Sequence, residues 1–313
     1  MPVVLFALVC IVVLMVLSGA YVFWAGCVRH KDRNWLDFKT LEKTPYKRFY
    51  PFICETNDWL TDHHAQDVYI CSDDGLRLHG LWVPVPNAKG TVLLAHGYRS
   101  TILIEFHIAV VYFHTLGFNL LIPDQRCHGE SEGKYITFGV KESADMKRWI
   151  EYHNSHFGIS PMLLFGVSMG ASTMLYLADR KLPANVCGII ADCGFTSPKE
   201  ILSSVYRTVI HLPACLSLWV TEWLARVFAG FSLSEKDTRK TLSRSRYPVL
   251  MIHGAADSFV PCEMSRQGFG VCAAEKMLLT IPDADHGYSV VCAPDRYTEA
   301  VFQFIQKYVE GFE

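Results

Sequence analysis

The sequence of 313 residues has few of the features that mark proteins that bind nucleic acids, metals or nucleotides. Its 29 lysines and arginines are balanced by 31 aspartates and glutamates, and they form no basic stripe of the kind that contacts nucleic acid. The 11 cysteines include no C-x-x-C pair, and the 13 histidines show no metal-ligand spacing. No glycine-rich phosphate-binding loop is present. We therefore expect no nucleic-acid partner, no metal and no cofactor.

Charged side chains are also absent from residues 1–28, and Val3 to Val22 are almost all apolar. A run of this length can cross the ~30 Å hydrocarbon core of a bilayer. A cleaved signal peptide normally begins with basic residues, which this chain lacks, so we predict an uncleaved single-pass anchor. Lysine and arginine follow the run but do not precede it, and the positive-inside rule then puts the rest of the chain on the cytoplasmic face. Deletion of residues 1–28 is expected to release a soluble, active domain.

A lipoprotein cleavage site is the weaker alternative for this segment. Residues 24–27 read Trp-Ala-Gly-Cys, which resembles such a site only faintly, because tryptophan suits that recognition poorly. The missing basic start also counts against it.

The remainder of the chain has the composition of a globular protein. Residues 29–65 form a charged connector rich in aromatic side chains. From Asp67 onward, strand and helix signals alternate, which predicts an α/β fold with a doubly wound, mostly parallel sheet over residues 66–313. An apolar insertion at about residues 196–246 interrupts this alternation and has helical spacing.

A serine lies at the exit of one predicted strand. Residues 166–170 read Gly-Val-Ser-Met-Gly and follow the apolar run Met-Leu-Leu-Phe at residues 162–165. A serine between a strand and a helix adopts a strained backbone conformation, and the flanking glycines avoid collisions with both elements. The turn would point the hydroxyl of Ser168 out of the sheet, and Met169 would begin a helix whose first N–H can face an oxyanion. The pentapeptide alone is a weak signal, and its context strengthens the prediction.

Candidate partners for Ser168 follow in the order acid, then base. Asp257 comes just after a buried predicted strand, and His286 comes after the next one. A serine hydroxyl is a weak nucleophile, so an imidazole must take its proton and a carboxylate must orient that imidazole. Asp192, at the end of the preceding strand, is the alternative acid.

With these motifs the chain resembles the α/β-hydrolase superfamily, in particular membrane-associated serine hydrolases of the serine-aminopeptidase-like and BEM46-like groups. The resemblance spans about residues 66–312 and rests on residues 95–100, 123–133 and 166–170 and on the segments that carry Asp257 and His286. It implies an oxyanion hole formed by the N–H groups of Tyr98 and Met169. Cys127 stands where many relatives have glycine, which affects only the local loop conformation. His96 and His128 lie in His-Gly turns, where we expect them to hydrogen-bond their loops.

The apolar insertion lies where relatives carry a lid, and Pro213 divides its two stretches of helical spacing. One interpretation is a lid that only packs on the core. The other is an apolar roof over an acyl group that can also touch lipid, built from Trp219, Trp223, Leu224, Val227 and Phe228.

Motifs and resemblance together predict a membrane-anchored serine hydrolase that cleaves carboxylic esters or thioesters of apolar acyl groups through an acyl-enzyme. The expected partners are such a substrate and the lipid bilayer. One alternative is an aminopeptidase of the proline-iminopeptidase type, which needs lid carboxylates for a free amino terminus; Glu200, Glu222 and Glu235 are available. The other alternative is a catalytically idle fold that serves as a membrane scaffold or ligand binder, and the intact triad argues against it.

Overall fold

The structure is a computed structural model that describes residues 2–30, 36–42, 47, 50–101, 103, 107–207 and 214–312. Parts of the predicted connector, at residues 31–35, 43–46 and 48–49, lie outside these ranges, as does Pro213.

One sheet of eight strands organises the described chain. The strands are β1 Gln66–Cys71, β2 Arg77–Val83, β3 Gly90–Ala95, β4 Phe118–Pro123, β5 Met162–Val167, β6 Val186–Asp192, β7 Val249–Gly254 and β8 Lys276–Ile281. Their order across the sheet is β1-β2-β4-β3-β5-β6-β7-β8. Strand β2 pairs antiparallel with β1 and β4, and the other pairings are parallel. The carboxyl ends of β3 and β5 to β8 therefore meet at one edge of the sheet.

Helices cover both faces of this sheet. The helices of the described chain are α1 Pro2–Cys27, α2 Phe38–Leu41, α3 Tyr50–Asp62, α4 His107–Thr115, α5 Glu142–His156, α6 Met169–Leu175, α7 Pro198–Val205, α8 Ala214–Leu224, α9 Thr238–Leu242, α10 Glu263–Val271, α11 Ser289–Cys292 and α12 Pro294–Tyr308. A π-helical turn, Ala225–Ala229, extends α8.

Side chains alternate across the central strands because successive residues of a strand point to opposite faces. In β3, Val92 and Leu94 join a buried cluster with α4 and α12, whereas Leu93 and Ala95 join a second cluster with α5 and α6. Both faces of the parallel strands are therefore covered, which makes β3, β5 and β7 fully buried. The predicted doubly wound α/β fold is confirmed.

A third group of buried side chains, here called the lid cluster, joins the predicted lid to the last turns of α1 and to the residue after Ser168. Its members include Val22, Phe23, Cys27, Met169, Ile201, Leu202, Tyr206, Leu218 and Ala225. The lid itself consists of α7, α8, the π turn and α9. The residue next to the candidate nucleophile and the last turns of α1 thus share one apolar interior.

Helix α1 is 26 residues long, and its length and composition are sufficient to cross a membrane. Residues 3–17 are mostly exposed, but the helix then packs against α8. A Cβ atom at Gly19 would lie 2.5 Å from the carbonyl oxygen of Ser217, so only glycine permits this approach. Val22 and Phe23 are buried, and each such side chain stabilises a fold by roughly 1.5–3 kcal/mol. Deletion of residues 1–28 would remove them and uncover the part of the lid cluster that they bury; the release of a soluble, active domain stays a prediction.

Two glycines of α1 provide a matched test of this contact. Gly19→Ala should destabilise the protein by about 1–3 kcal/mol because the new methyl group meets the backbone of α8. Gly26→Ala should be neutral or slightly stabilising, since the nearest atom to its Cβ is 3.6 Å away and alanine favours a helix. The thermal midpoints of the detergent-solubilised variants measure the difference. Equal midpoints would show that α1 does not pack on α8.

Candidate active site

Ser168 occupies the turn between β5 and α6. Its backbone has φ 54° and ψ −116°, a conformation that a residue with a side chain adopts only under strain. The flanking glycines make this turn possible. A Cβ at Gly166 would lie 2.4 Å from the carbonyl group of Gly170, and one at Gly170 would lie 1.9 Å from the carbonyl oxygen of Ala95. The nucleophile turn is thus pressed against both its own helix and the neighbouring strand β3.

The loops after β7 and β8 bring Asp257 and His286 to the same edge of the sheet. The Nε2 atom of His286 lies 2.9 Å from Oγ of Ser168, and its Nδ1 atom lies 2.7 Å from Oδ2 of Asp257. A carboxylate only accepts hydrogen bonds, so Nδ1 carries the proton, and neutral Nε2 accepts a hydrogen bond from the serine hydroxyl. This is the geometry of a nucleophile, a base and an orienting acid.

Asp257 is held ionised by its surroundings. Its side chain is fully buried, and Oδ1 accepts hydrogen bonds from the N–H groups of Phe259 at 2.9 Å and Val260 at 2.7 Å. Burial by itself would raise the pKa of Asp257, but hydrogen bonds to His253 and His286 outweigh burial and lower the pKa to about 2. A carboxylate at neutral pH can then favour the tautomer of His286 that serves as a base.

His253 is a part of this site that the sequence analysis missed. Its Nε2 atom lies 3.2 Å from Oδ2 of Asp257 and 2.9 Å from the carbonyl oxygen of Val260, and its Nδ1 lies 2.7 Å from Oγ of Ser265. Asp257 therefore lies within hydrogen-bonding distance of two imidazoles. The position of His253 at the carboxyl end of β7, four residues before Asp257, was the available signal.

The alternative acid, Asp192, lies at the same edge of the sheet, at the end of β6. Its backbone carbonyl accepts a hydrogen bond from the N–H of Ser168 at 2.8 Å, and its side chain interacts with the hydroxyl of Tyr297. Burial raises the pKa of Asp192 to about 6. The short contact of Nδ1 of His286 is with Asp257, so the geometry favours the acid that follows β7.

Cys193 follows Asp192 and is buried. One ligand atom each from Cys193, Asp257 and His286 lie within 4.8 Å of one another, a spacing that could hold a metal ion. Coordination there would compete with the hydrogen bond from His286 to Asp257. The arrangement is therefore better explained by the hydrogen-bonded pair than by a metal centre.

The predicted oxyanion donors lie on two segments next to Ser168. Met169 is the first residue of α6, where the initial N–H groups have no partner within the helix. Tyr98 lies in the loop after β3, and its side chain contacts Phe138 and the end of α1. The ring stacks on Phe138 with centroids 5.5 Å apart, and the hydroxyl donates to the carbonyl oxygen of Gly26 at 2.9 Å.

The end of α1 is attached to this loop through a second residue as well. The guanidinium of Arg99 donates to the carbonyl oxygens of Ala25 at 2.9 Å and Val28 at 2.7 Å. The last carbonyl groups of a helix lack partners within it and carry partial negative charge, so a cation is favourable there. The loop that carries Tyr98 is therefore fixed to the end of α1.

The two histidines of the His-Gly turns support loops, as predicted. Nε2 of His96 accepts a hydrogen bond from the backbone N–H of Gln125 at 3.0 Å, and Nε2 of His128 accepts one from the backbone N–H of Arg99 at 2.9 Å. Burial lowers the pKa of both imidazoles, which keeps them neutral.

Cys127 adopts φ 68°, a left-handed conformation that favours glycine, which gives a reason for the glycine in relatives. A Cβ at Gly133 would lie 2.6 Å from the sulfur of Cys127, so Gly133 makes room for the larger side chain.

The proposed roof of the acyl site is wrong for four of its five residues. The exposed fractions are 65% for Trp219, 52% for Trp223, and 55% each for Val227 and Phe228, whereas Leu224 packs against the lid cluster. Helix α8 turns its other side inward, through Leu218 and Thr221. Helical spacing alone does not reveal which side of a helix faces the core.

Known proteins share this architecture. A family model described as serine aminopeptidase, S33, matches residues 86–246. The protein YqkD of Bacillus subtilis is 25% identical over 242 residues, which are 76% of this chain and 78% of YqkD. The protein bem46 of Schizosaccharomyces pombe is 25% identical over 225 residues, which are 70% of this chain and 68% of bem46.

Among solved structures, the esterase Pf2001 of Pyrococcus furiosus is similar with a TM-score of 0.64 and 23% identity, over 80% of this chain and 93% of the esterase. A likeness at this level of identity concerns the fold. The family model, by contrast, matches more than half of the chain. The chain therefore belongs to the serine aminopeptidase S33 family of the α/β-hydrolase superfamily and is a hydrolase.

Proposed function

We propose that this protein is a membrane-anchored serine hydrolase that cleaves carboxylic esters or thioesters of apolar acyl groups. The observation that carries the proposal is the continuous hydrogen-bonded series from Ser168 through His286 to Asp257, with contacts of 2.9 and 2.7 Å. A scaffold or ligand binder would have no need of a strained serine turn or of an ionised, buried carboxylate. These features argue against the idle fold.

The reaction follows from the positions of the protons. Oγ of Ser168 attacks the carbonyl carbon while its proton moves to Nε2 of His286, and Asp257 stabilises the imidazolium that forms. The N–H groups of Tyr98 and Met169 bind the oxyanion of the tetrahedral intermediate. His286 then protonates the leaving alcohol or thiol, which leaves an acyl group on Ser168. A water molecule that gives its proton to His286 hydrolyses the acyl-enzyme and restores Ser168.

The lid supports an apolar acyl group. The lid cluster contains Met169, next to the nucleophile, together with Ile201, Leu202 and Leu218 of the lid. An acyl chain that entered between these side chains would leave water, and each buried methylene contributes about 0.8 kcal/mol. The inward side of the lid, rather than the exposed tryptophans, is the proposed acyl contact.

The lid carboxylates do not favour an aminopeptidase. Glu222 accepts hydrogen bonds from Oγ of Ser232 and the N–H of Leu233, both at 2.7 Å, and it is paired with Arg226. Glu200 lies 3.6 Å from Arg239. Glu200 and Glu222 already have cationic neighbours, so neither offers the unpaired negative charge that a free amino terminus requires. The third carboxylate, Glu235, accepts a hydrogen bond from the N–H of Ser232 at 3.2 Å.

Helix α1 is proposed to remain on the protein as a single-pass anchor with the hydrolase domain on the cytoplasmic face. Removal of α1 as a signal sequence would expose the lid cluster, which Val22 and Phe23 help to bury. Basic residues follow the helix, in agreement with this orientation.

Replacement of the nucleophile tests the mechanism. Ser168→Ala should abolish labelling by a fluorophosphonate probe and lower kcat by several orders of magnitude, about the cost of losing a triad member. Ser155→Ala is the matched control, because Ser155 is an exposed serine of α5 and should leave both readouts unchanged. Full labelling of the Ser168 variant would assign the nucleophile to another residue.

Two carboxylate variants identify the acid. Asp257→Asn should reduce kcat by about 10⁴-fold, because an amide no longer selects the tautomer of His286 that accepts the serine proton. Asp192→Asn should retain most of the turnover and affect chiefly the thermal midpoint. The opposite pattern in steady-state kinetics would move the acid to the end of β6.

The substrate class is tested with two panels of substrates. A series of p-nitrophenyl esters of increasing chain length should be hydrolysed, with kcat/KM rising by up to about tenfold for two added methylenes until the pocket is full. Aminoacyl-naphthylamides should react far more slowly. Preference for the aminoacyl panel would favour the aminopeptidase, and inactivity on both would favour the scaffold.

A further inference from the structure

A continuous apolar surface remains exposed beside the lid cluster. It consists of Tyr21 and Trp24 on α1, Trp219 and Trp223 on α8, and Val227 and Phe228 on the π turn, and we call it the aromatic face. The exposed fractions of these side chains run from 52% to 65%. Soluble proteins rarely leave so many large apolar side chains together in water, and such a surface marks an interaction site.

The aromatic face is continuous because α8 lies against the second half of α1. Gly19 faces the backbone of Ser217, Oγ1 of Thr221 donates to the carbonyl oxygen of Gly19 at 3.0 Å, and the rings of Phe23 and Phe228 are 6.2 Å apart. These contacts fix α8 to α1. The lid therefore stays close to any membrane that α1 crosses.

The length of α1 determines how far the bilayer reaches along it. Residues 3–17, which precede the contact with α8, span ~22 Å as a helix. The hydrocarbon core of a bilayer is ~30 Å thick, so ~8 Å more of the helix must lie within it, and a tilted helix would need still more. That additional length corresponds to residues 18–22, which include the residues that face α8. A bilayer that α1 spans must therefore contact α8 too.

The composition of the aromatic face suits the boundary between hydrocarbon and headgroups. Tryptophan and tyrosine are enriched at this boundary, since their rings are apolar and their N–H or O–H groups reach water. Helix α8 carries one charged side chain, Glu222, which is paired with Arg226 of the π turn. No isolated charge of α8 would thus have to enter the lipid.

We infer that the aromatic face lies in the bilayer that α1 spans, and that the substrates are esters or thioesters dissolved in that bilayer. This inference rests on the proposed hydrolase function. The lid cluster reaches from Val22 and Phe23, beside the bilayer, to Met169, beside the nucleophile. An acyl chain that displaced side chains of this interior would stay out of water between the bilayer and Ser168, which favours long acyl chains presented by the membrane.

Fluorescence quenching tests the location of the aromatic face independently of catalysis. The full-length protein is reconstituted in phosphatidylcholine vesicles whose acyl chains are brominated near the headgroup. The quenched part of the tryptophan emission should fall when Trp219 and Trp223 are both replaced by phenylalanine. Trp82→Phe is the control, because Trp82 is buried against the sheet and should contribute only unquenched emission. Equal quenching in the wild type and the double Phe variant would overturn the inference.

Kinetics test the source of the substrate. The double variant Trp219→Ser/Trp223→Ser should hydrolyse a long-chain p-nitrophenyl ester embedded in phosphatidylcholine vesicles about tenfold more slowly, because two apolar contacts with lipid are lost. Its rate on soluble p-nitrophenyl acetate should not change. Ile159→Ser removes an apolar side chain that is 79% exposed at the amino end of β5, far from the lid, and should alter neither rate.

The outcomes separate the two proposals. Unchanged rates on both substrates, or an equal loss on both, would contradict delivery from the bilayer while leaving the hydrolase function intact. A wild-type protein that is inactive on both substrates would instead contradict the proposed function.

Discussion

At the turn between β5 and α6, the backbone of α6 comes so close to the backbone of β3 that there is no space for a side chain. At Gly170, a Cβ would lie 1.9 Å from the carbonyl oxygen of Ala95 in the neighbouring strand. This approach brings the first turn of α6 against β3 and forces Ser168 into a strained conformation at the sheet edge. The carboxyl ends of β7 and β8 reach the same edge, so their loops deliver Asp257 and His286 to the serine. The site is thus a consequence of how closely one helix can approach one strand.

A second constraint links this edge to the first helix. The loop after β3 carries Tyr98 and Arg99. The hydroxyl of Tyr98 and the guanidinium of Arg99 donate hydrogen bonds to carbonyl groups at the end of α1. The same helix is packed against the lid through Gly19. The loop after β3, the lid and α1 therefore form one connected unit. A shift of α1 would change the position of that loop and of the lid together, which gives the helix a structural role in the fold.

The sequence predicts those parts of the fold that local chemistry determines. Ser168 is recognisable because its turn needs glycines on both sides, and the strands are recognisable because parallel strands buried on both faces are apolar throughout. The acid is harder to predict. Asp192 and Asp257 both follow buried strands, and only the three-dimensional arrangement shows which carboxylate is opposite Nδ1 of His286. His253 escaped notice because its position at the end of β7, four residues before Asp257, does not by itself show that the two side chains meet.

The packing of the lid and of α1 could not be predicted from the sequence. Helical spacing identifies α8, but the partner of each side depends on tertiary packing, and Trp219 and Trp223 proved to be on the outer side. The packing of α1 on α8 requires a residue without a side chain at position 19. In the sequence, Gly19 looks like any other small residue of an apolar segment. In both cases the deciding contact joins residues about 200 positions apart in the chain.

The central claim is that the strained turn makes Ser168 the residue that carries the acyl group. The most direct measurement is acid quenching of the full-length protein during turnover of a p-nitrophenyl ester, followed by peptide mapping of the covalent adduct by mass spectrometry. We expect the acyl group to be attached to Ser168. An acyl group found on Cys193 or on any other side chain, with Ser168 unmodified, would contradict it.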